Sequence, residues 1–157
     1  MSSIKRQKEI ISLLAENKEA TANLYRLYSE KFPHYRDFWL QLVKETQEQA
    51  DLIRTLFLYS KRQENVFIRT EIFNIDGIKW VIKYTNNLIN EAKSRKYGME
   101  KALSLALDIE SSLMGKNLFR VFQGEDRKLQ DTLKYLEEKS ESRLQRISSL
   151  HDQIKDL

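Results

Sequence analysis

Residues 102–110 read Ala102-Leu103-Ser104-Leu105-Ala106-Leu107-Asp108-Ile109-Glu110, and their pattern sets the fold. Leu103 and Ala106 lie three apart on one helical face, and Leu113 and Met114 continue that face. Glu110 falls among them, so an acid interrupts an apolar stripe. The spacing predicts a helix from about Met99 to Phe122, with Val121 also inward. Upstream, Lys93-Ser94-Arg95-Lys96-Tyr97-Gly98 reads as a solvated linker whose basic residues, with Lys101, lie near Tyr97. Downstream, Gly124 is a helix stop and Asp126 a cap. The last helix is expected over about Asp126 to Ile154, with Leu129, Leu133, Leu136, Ile147 and Leu150 on one face.

The first half of the chain repeats this pattern. Ile11, Leu14, Ala15, Thr21, Ala22, Tyr25, Tyr28 and Phe32 form one stripe, predicting a helix from about Ser3 to Glu30. Pro33 ends it and opens the next, because the residue before proline is forced out of the α region. Phe38, Trp39, Leu42, Ala50, Ile53 and Leu56 then predict a helix from about His34 to Ser60. Residues Lys61 to Ile75 show no period and are read as an irregular connection whose apolar side chains cap the bundle. Asn74 or Asp76 caps a shorter helix with the stripe Ile78, Val81, Ile82, Thr85, Leu88, Ile89 and Ala92. Each long pair is expected to meet at aromatic residues: Tyr25, Tyr28 and Phe32 in one, Phe119 and Phe122 in the other. The aromatics Tyr25, Tyr28, Phe32, Phe38 and Trp39 are read as core, not as the floor of a ligand pocket.

The expectation is an all-α chain forming a single domain over residues 1–157. Helix pairs at about 3–60 and 98–154 are joined by a crossover at about 61–97, an arrangement that four-helix bundles adopt.

Composition narrows the chemistry. The 157 residues include 27 Lys+Arg, 23 Asp+Glu, two His, one Pro, four Gly and no Cys. Without cysteine there is no disulfide, thiolate metal site, iron–sulfur ligand or thiol nucleophile. Few glycines and one proline argue against an all-β or Rossmann-like chain, which need many turns. The net charge of +4 is a mild excess and argues little for nucleic acid. No apolar run is long enough for a membrane span. The start MSSIKRQKEI lacks a signal-peptide core, so the cytoplasm is the expected location. No Walker loop or Gly-x-Ser-x-Gly elbow is present. His34, behind Pro33, and His151, in the tail, are read as surface or capping residues.

Polar residues that break the stripes are the candidate site. Lys18 breaks the first helix, Thr46 and Gln49 the second, Glu110 the third long helix, and Ser140 and Arg143 the last. A single residue and an i, i+3 pair thus alternate along the chain.

This layout resembles the ferritin-like, rubrerythrin-type di-iron bundle, in which two helices give one Glu each and two give a Glu-x-x-His pair. Asp37 to Glu45 with Gln49 to Ile53 is similar to the family's second helix, Ala102 to Glu110 to its third, and Leu136 to Ile147 to its fourth. The resemblance implies that the ligands fall on Lys18, on Thr46 and Gln49, on Glu110, and on Ser140 and Arg143. Only Glu110 keeps a ligating type, and two positions are cations, which oppose a metal ion. The di-iron site is therefore expected to be lost and no cofactor is expected. In its place an ion network is expected, Lys18–Glu110–Arg143, with Thr46, Gln49 and Ser140 completing its hydrogen bonds. The leading expectation is a non-catalytic structural or interaction domain, pairing through helix faces with a second copy or another protein. The alternatives are an iron-handling oxidoreductase using Glu110 with Glu45, Glu48, Glu138 or Glu141, otherwise read as surface carboxylates, and a bundle that binds a small molecule or anion through Lys18 and Arg143.

Overall fold

A computed structural model of the chain describes residues 2–62, 67–68, 74–112, 122–123 and 127–156, and it is all-helical apart from one two-residue ladder. Helix α1 spans Ser2–Lys31, α2 Arg36–Arg62, α3 Ile75–Ser94, α4 Met99–Ser111 and α5 Arg127–Lys155. A 3-10 turn, Pro33–Tyr35, joins α1 to α2. Pro33 opens that turn, and α2 begins at Arg36, slightly later than the sequence suggests.

Two expectations are corrected. Helix α4 ends at Ser111 and does not run on to Phe122. The Ser112 hydroxyl donates to the Ile109 carbonyl at 2.8 Å and Ser112 leaves the helical region at ψ 157°. A serine that bonds nearby carbonyls competes with the helical ladder, and here it closes the helix. Phe122 instead lies in a strand: Phe67–Ile68 (β1) pairs antiparallel with Phe122–Gln123 (β2), with Ile68 opposite Phe122. The rest of the stretch read as an irregular connection, the expected inward residues Leu113, Met114 and Val121, the aromatic Phe119, the stop at Gly124 and the cap at Asp126 lie outside the described residues.

Asn74 is the cap of α3, its side-chain oxygen accepting from the Gly77 amide at 2.9 Å. At the other end of α3, the Lys31 ammonium donates to the carbonyls of Ala92 (3.1 Å) and Arg95 (2.8 Å). A cation satisfying carbonyls at a helix C-terminus complements the dipole, so the last residue of α1 also finishes α3.

The core has two apolar clusters. One joins Ile10–Ala15 of α1, Ala50–Leu56 of α2, Ile78 and Ile82 of α3, and Leu129 and Leu136 of α5. The other joins Ala22–Tyr28 of α1, Trp39–Val43 of α2, Leu88 and Ala92 of α3, Met99–Ile109 of α4 and Ile147 of α5. Helices α1, α2, α3 and α5 each pass from one cluster to the other, which fixes their directions, while α4 starts at Met99 beside Trp39 and ends at Glu110 beside Arg143, the partner of Gln49, and so follows α2. Helices α1, α3 and α5 run one way and α2 and α4 the other. Helix α1 packs on α2 and α3, α2 on α5, and α5 on α4, while Tyr25 of α1 reaches Glu110 of α4 and closes the ring. Tyr25, Tyr28 and Trp39 are fully buried, the two tyrosine rings tilted against Trp39 at centroid distances of 5.4 and 4.8 Å, whereas Phe32 and Phe38 are half-buried. The Trp39 indole N–H donates to Met99 Sδ at 3.3 Å.

Candidate functional site

Between the two clusters lies a polar layer to which each of the five described helices contributes. Lys18 and Thr21 come from α1, Glu45, Thr46 and Gln49 from α2, Thr85 from α3, Glu110 from α4, and Arg143 from α5, all buried. Ser140 of α5 is half-buried beside them.

Arg143 is its centre and is wholly inaccessible. Its Nε donates to Glu110 Oε2 at 2.7 Å, and its Nη2 donates to Glu110 Oε1 at 3.0 Å and to Gln49 Oε1 at 2.8 Å. The fork-on-fork pairing is the strongest hydrogen-bonded form of a carboxylate–guanidinium contact. Tyr25 adds a further donor, its hydroxyl 2.6 Å from Glu110 Oε2. Gln49 uses its amide group to donate to Ser140 Oγ at 2.9 Å and to the Leu136 carbonyl at 3.1 Å. Arg143 Nη1 is buried and, among the described residues, has no hydrogen-bond partner. It lies 3.8 Å from Glu45 Oε1, beyond hydrogen-bond reach.

Glu45 is the main correction to the sequence reading, which places it on the surface. It is 2% exposed. Arg146 grips it with Nη2 at 2.6 Å from Oε1 and Nη1 at 2.9 Å from Oε2, and Gln41 donates to Oε2 at 3.0 Å. The signal was present in the spacing: Leu42, Glu45 and Gln49 step by three and four along the buried face. Charge alone argued Glu45 outward. Arg146, three residues after Arg143, and the Tyr25 hydroxyl were likewise missed, the latter because a buried tyrosine reads as apolar until its partner is known.

The remaining candidates separate cleanly. Thr46 does not complete the network; its hydroxyl donates back to the Leu42 and Val43 carbonyls of its own helix at 2.9 and 3.1 Å. Glu48 is exposed and accepts from the Tyr135 hydroxyl, and Glu138 and Glu141 are exposed. His34 is exposed and His151 partly exposed. Of the basic residues near Tyr97, Lys93, Arg95, Lys96 and Lys101 are exposed; Lys101, with Lys31, lies over the Tyr97 ring.

Electrostatics follow from this packing. Burial pushes the Glu110 carboxyl up, but Arg143's charge and hydrogen bonds, then Lys18 and Tyr25, outweigh it, and Glu110 is held below its ordinary 4.5. Glu45 is also held low: burial opposes ionisation, while the Arg146 and Gln41 hydrogen bonds and the two guanidinium charges favour it. Lys18 moves the other way. Burial first and Arg143 second push it from 10.5 down to about 8, with Glu110 only partly compensating. Among the described residues the Lys18 ammonium makes no hydrogen bond. The buried layer therefore holds cations Lys18 and Arg143 against carboxylates Glu45 and Glu110, with the part-exposed Arg146 closing on Glu45 from the rim.

No family model, no curated protein and no solved structure matches this chain. Both buried carboxylates accept from a guanidinium at each oxygen, Glu110 also from the Tyr25 hydroxyl and Glu45 also from the Gln41 amide. Among the described residues no group of three or more His, Cys, Asp or Glu is placed to hold one. An open groove of about 410 Å³ between α1 and α3, lined by Leu13, Ile82, Glu16, Lys79 and Lys83, involves no residue of the layer. No described helix is long and apolar enough to cross a membrane.

Proposed function

We propose that this chain is a ferritin-like bundle, of rubrerythrin type, in which an ion-pair layer stands where the di-iron centre of that family would lie, and that it acts as a non-catalytic structural or interaction domain. The helix directions support the family reading. Helix α3 carries the chain back along the bundle, so α2 and α4 run parallel, as one long crossover requires. The candidate positions Lys18, Thr46, Gln49, Glu110, Ser140 and Arg143 belong to helices α1, α2, α4 and α5, which form that ring.

One observation carries the functional reading: the fully buried Arg143 guanidinium occupies both oxygens of Glu110. A metal ion would have to displace a bidentate pair and sit beside Lys18 and Arg143, whose charges repel it. The residues therefore do not fit a di-iron group, and no redox step is assigned to them. The shifted-carboxylate alternative fares no better, because Arg146 and Gln41 hold Glu45, and Glu48, Glu138 and Glu141 point to solvent. Metal analysis after growth in excess iron tests this. Sub-stoichiometric iron is expected, and near-stoichiometric iron lost on Glu110→Ala overturns the reading.

The interaction role is assigned to helix faces, in a cytoplasmic setting, with a second copy as the first partner to test. Trp80 on α3 is 64% exposed and stacks on Tyr84 with ring centroids 5.5 Å apart and planes 8° from parallel. An aromatic so exposed is the type of side chain that anchors interfaces. Sedimentation of the wild-type chain against Trp80→Ala measures whether this face pairs: a dimer that falls apart in the variant supports it, and a monomer at millimolar concentration removes self-association.

A further inference from the structure

We propose that Glu45 is a two-position latch, held in this structure by Arg146 at the rim and able to pass to the buried Arg143 Nη1 when that grip is released.

Arg143 and Arg146 lie three residues apart on α5, so both guanidiniums reach the same stretch of α2. Both act on the buried Glu45 carboxylate. Arg146 holds its two oxygens at 2.6 and 2.9 Å, while Arg143 Nη1 stands 3.8 Å from Oε1. A charged hydrogen bond closes at about 2.8 Å, so a shift of about 1 Å carries Oε1 onto Nη1. Nη1 has no other claim on it: it is buried and has no hydrogen-bond partner among the described residues.

The two positions trade one cost for another. In the present one a buried guanidinium donor goes unsatisfied, which is expensive in a desolvated core. In the other, Arg146 gives up its fork. Its side chain is 36% exposed, so water takes the place of the carboxylate, and its Nε stays bonded to the Ser142 carbonyl at 3.2 Å. Gln41, exposed on α2 and donating to Oε2 at 3.0 Å, is released to water in the same way. Glu45 is buried and paired with a guanidinium in both positions, so neither strands its charge. Arg146 and Gln41 form the solvent side of the latch and Arg143 its core side. Release at the α2–α5 surface is thereby converted into a bond within the layer, where Arg143 then has acceptors at all three of its nitrogens.

Arg146→Met removes the grip and keeps an aliphatic stem. A crystal structure of the full-length variant should show Glu45 still buried, with Oε1 moved from 3.8 Å to within about 3 Å of Arg143 Nη1. In solution, carbon-detected NMR should find Glu45 titrating below 4.5 in the wild type and still below it in the variant, because one guanidinium replaces the other. Arg146→Gln, a more polar replacement that also lacks the charge, should give the same two results. Glu45 turned out to solvent, Oε1 left beyond hydrogen-bond reach of Nη1, or a Glu45 that titrates above 4.5 in the variants overturns the proposal. Failure of both variants to fold overturns it as well, since Arg143 then cannot take over from Arg146. Neither readout involves metal content, so the outcome is separate from that of the iron analysis.

Discussion

Arg143 and Glu110 set what single substitutions do to this protein. Removing one member of a buried ion pair leaves its partner charged and desolvated. Glu110→Ala, which strands Arg143 and Tyr25, should therefore cost about 3–5 kcal/mol. Urea melts measure it, and a loss near zero would show that the pair contributes nothing. Lys18→Met removes a buried charge with no partner among the described residues and keeps the aliphatic stem. It is expected to stabilise the fold at pH 7. The pH dependence has a defined sign. Lys18 has a folded pKa below its unfolded 10.5, so its ammonium penalises the fold fully below about 8. That penalty fades as pH rises from about 8 to 10.5. Tyr25 acts oppositely: burial and Glu110 hold its proton well above the ordinary 10.0, and the stability this gives is lost as pH rises beyond 10. Glu45 and Glu110, held below 4.5, give stability that is lost as pH falls below that value. Thermal melts should therefore show stability rising between pH 8 and 10 in the wild type and no such rise in Lys18→Met.

At the scale of elements, helix ends were the part least legible in the sequence. Asn74 is a cap whose role follows from its residue type and its place before an apolar stripe, and the structure bears it out. Asn74→Ala should cost about 1 kcal/mol, read as a lower urea midpoint. Lys31 is different. Nothing in its local sequence says that it closes a helix more than sixty residues away through Ala92 and Arg95. The end of α4 was also hidden. The apolar period continues on paper through Leu113 and Met114, but Ser112 turns its hydroxyl onto the Ile109 carbonyl and the helix stops. Glu110 is thus left one residue from a helix C-terminus, where the dipole disfavours an acid, which makes the grip of Arg143 on it more consequential.

At the scale of the molecule, the polar layer lies between two apolar clusters, where the five described helices meet. A buried pair like this need not add stability over apolar packing. The combined replacement of Lys18→Met, Glu110→Leu and Arg143→Met is expected to be neutral or stabilising by about 1–4 kcal/mol, the opposite of Glu110→Ala alone. If the layer sets helix register, the triple variant should also lose dispersion in its amide NMR spectrum while remaining helical. A well-dispersed spectrum would show that apolar packing alone specifies the arrangement.

The all-helical class, the α1–α2 hairpin at Pro33 and most inward positions follow from the sequence itself. A 3.6-residue apolar period and a proline are local, and a local pattern suffices to place a helix and its buried face. The polar interruptions at Lys18, Gln49, Glu110 and Arg143 were legible for the same reason. That Glu110, Arg143, Gln49 and Ser140 would meet was expected from the resemblance; how they meet was decided by tertiary structure. Which oxygen of Glu110 meets which nitrogen of Arg143, that Thr46 turns back on its own helix, and that Glu45 is buried under Arg146 all depend on distances between separate helices. Sequence spacing fixes only the face a side chain shares within one helix; the charge it must answer arrives from another.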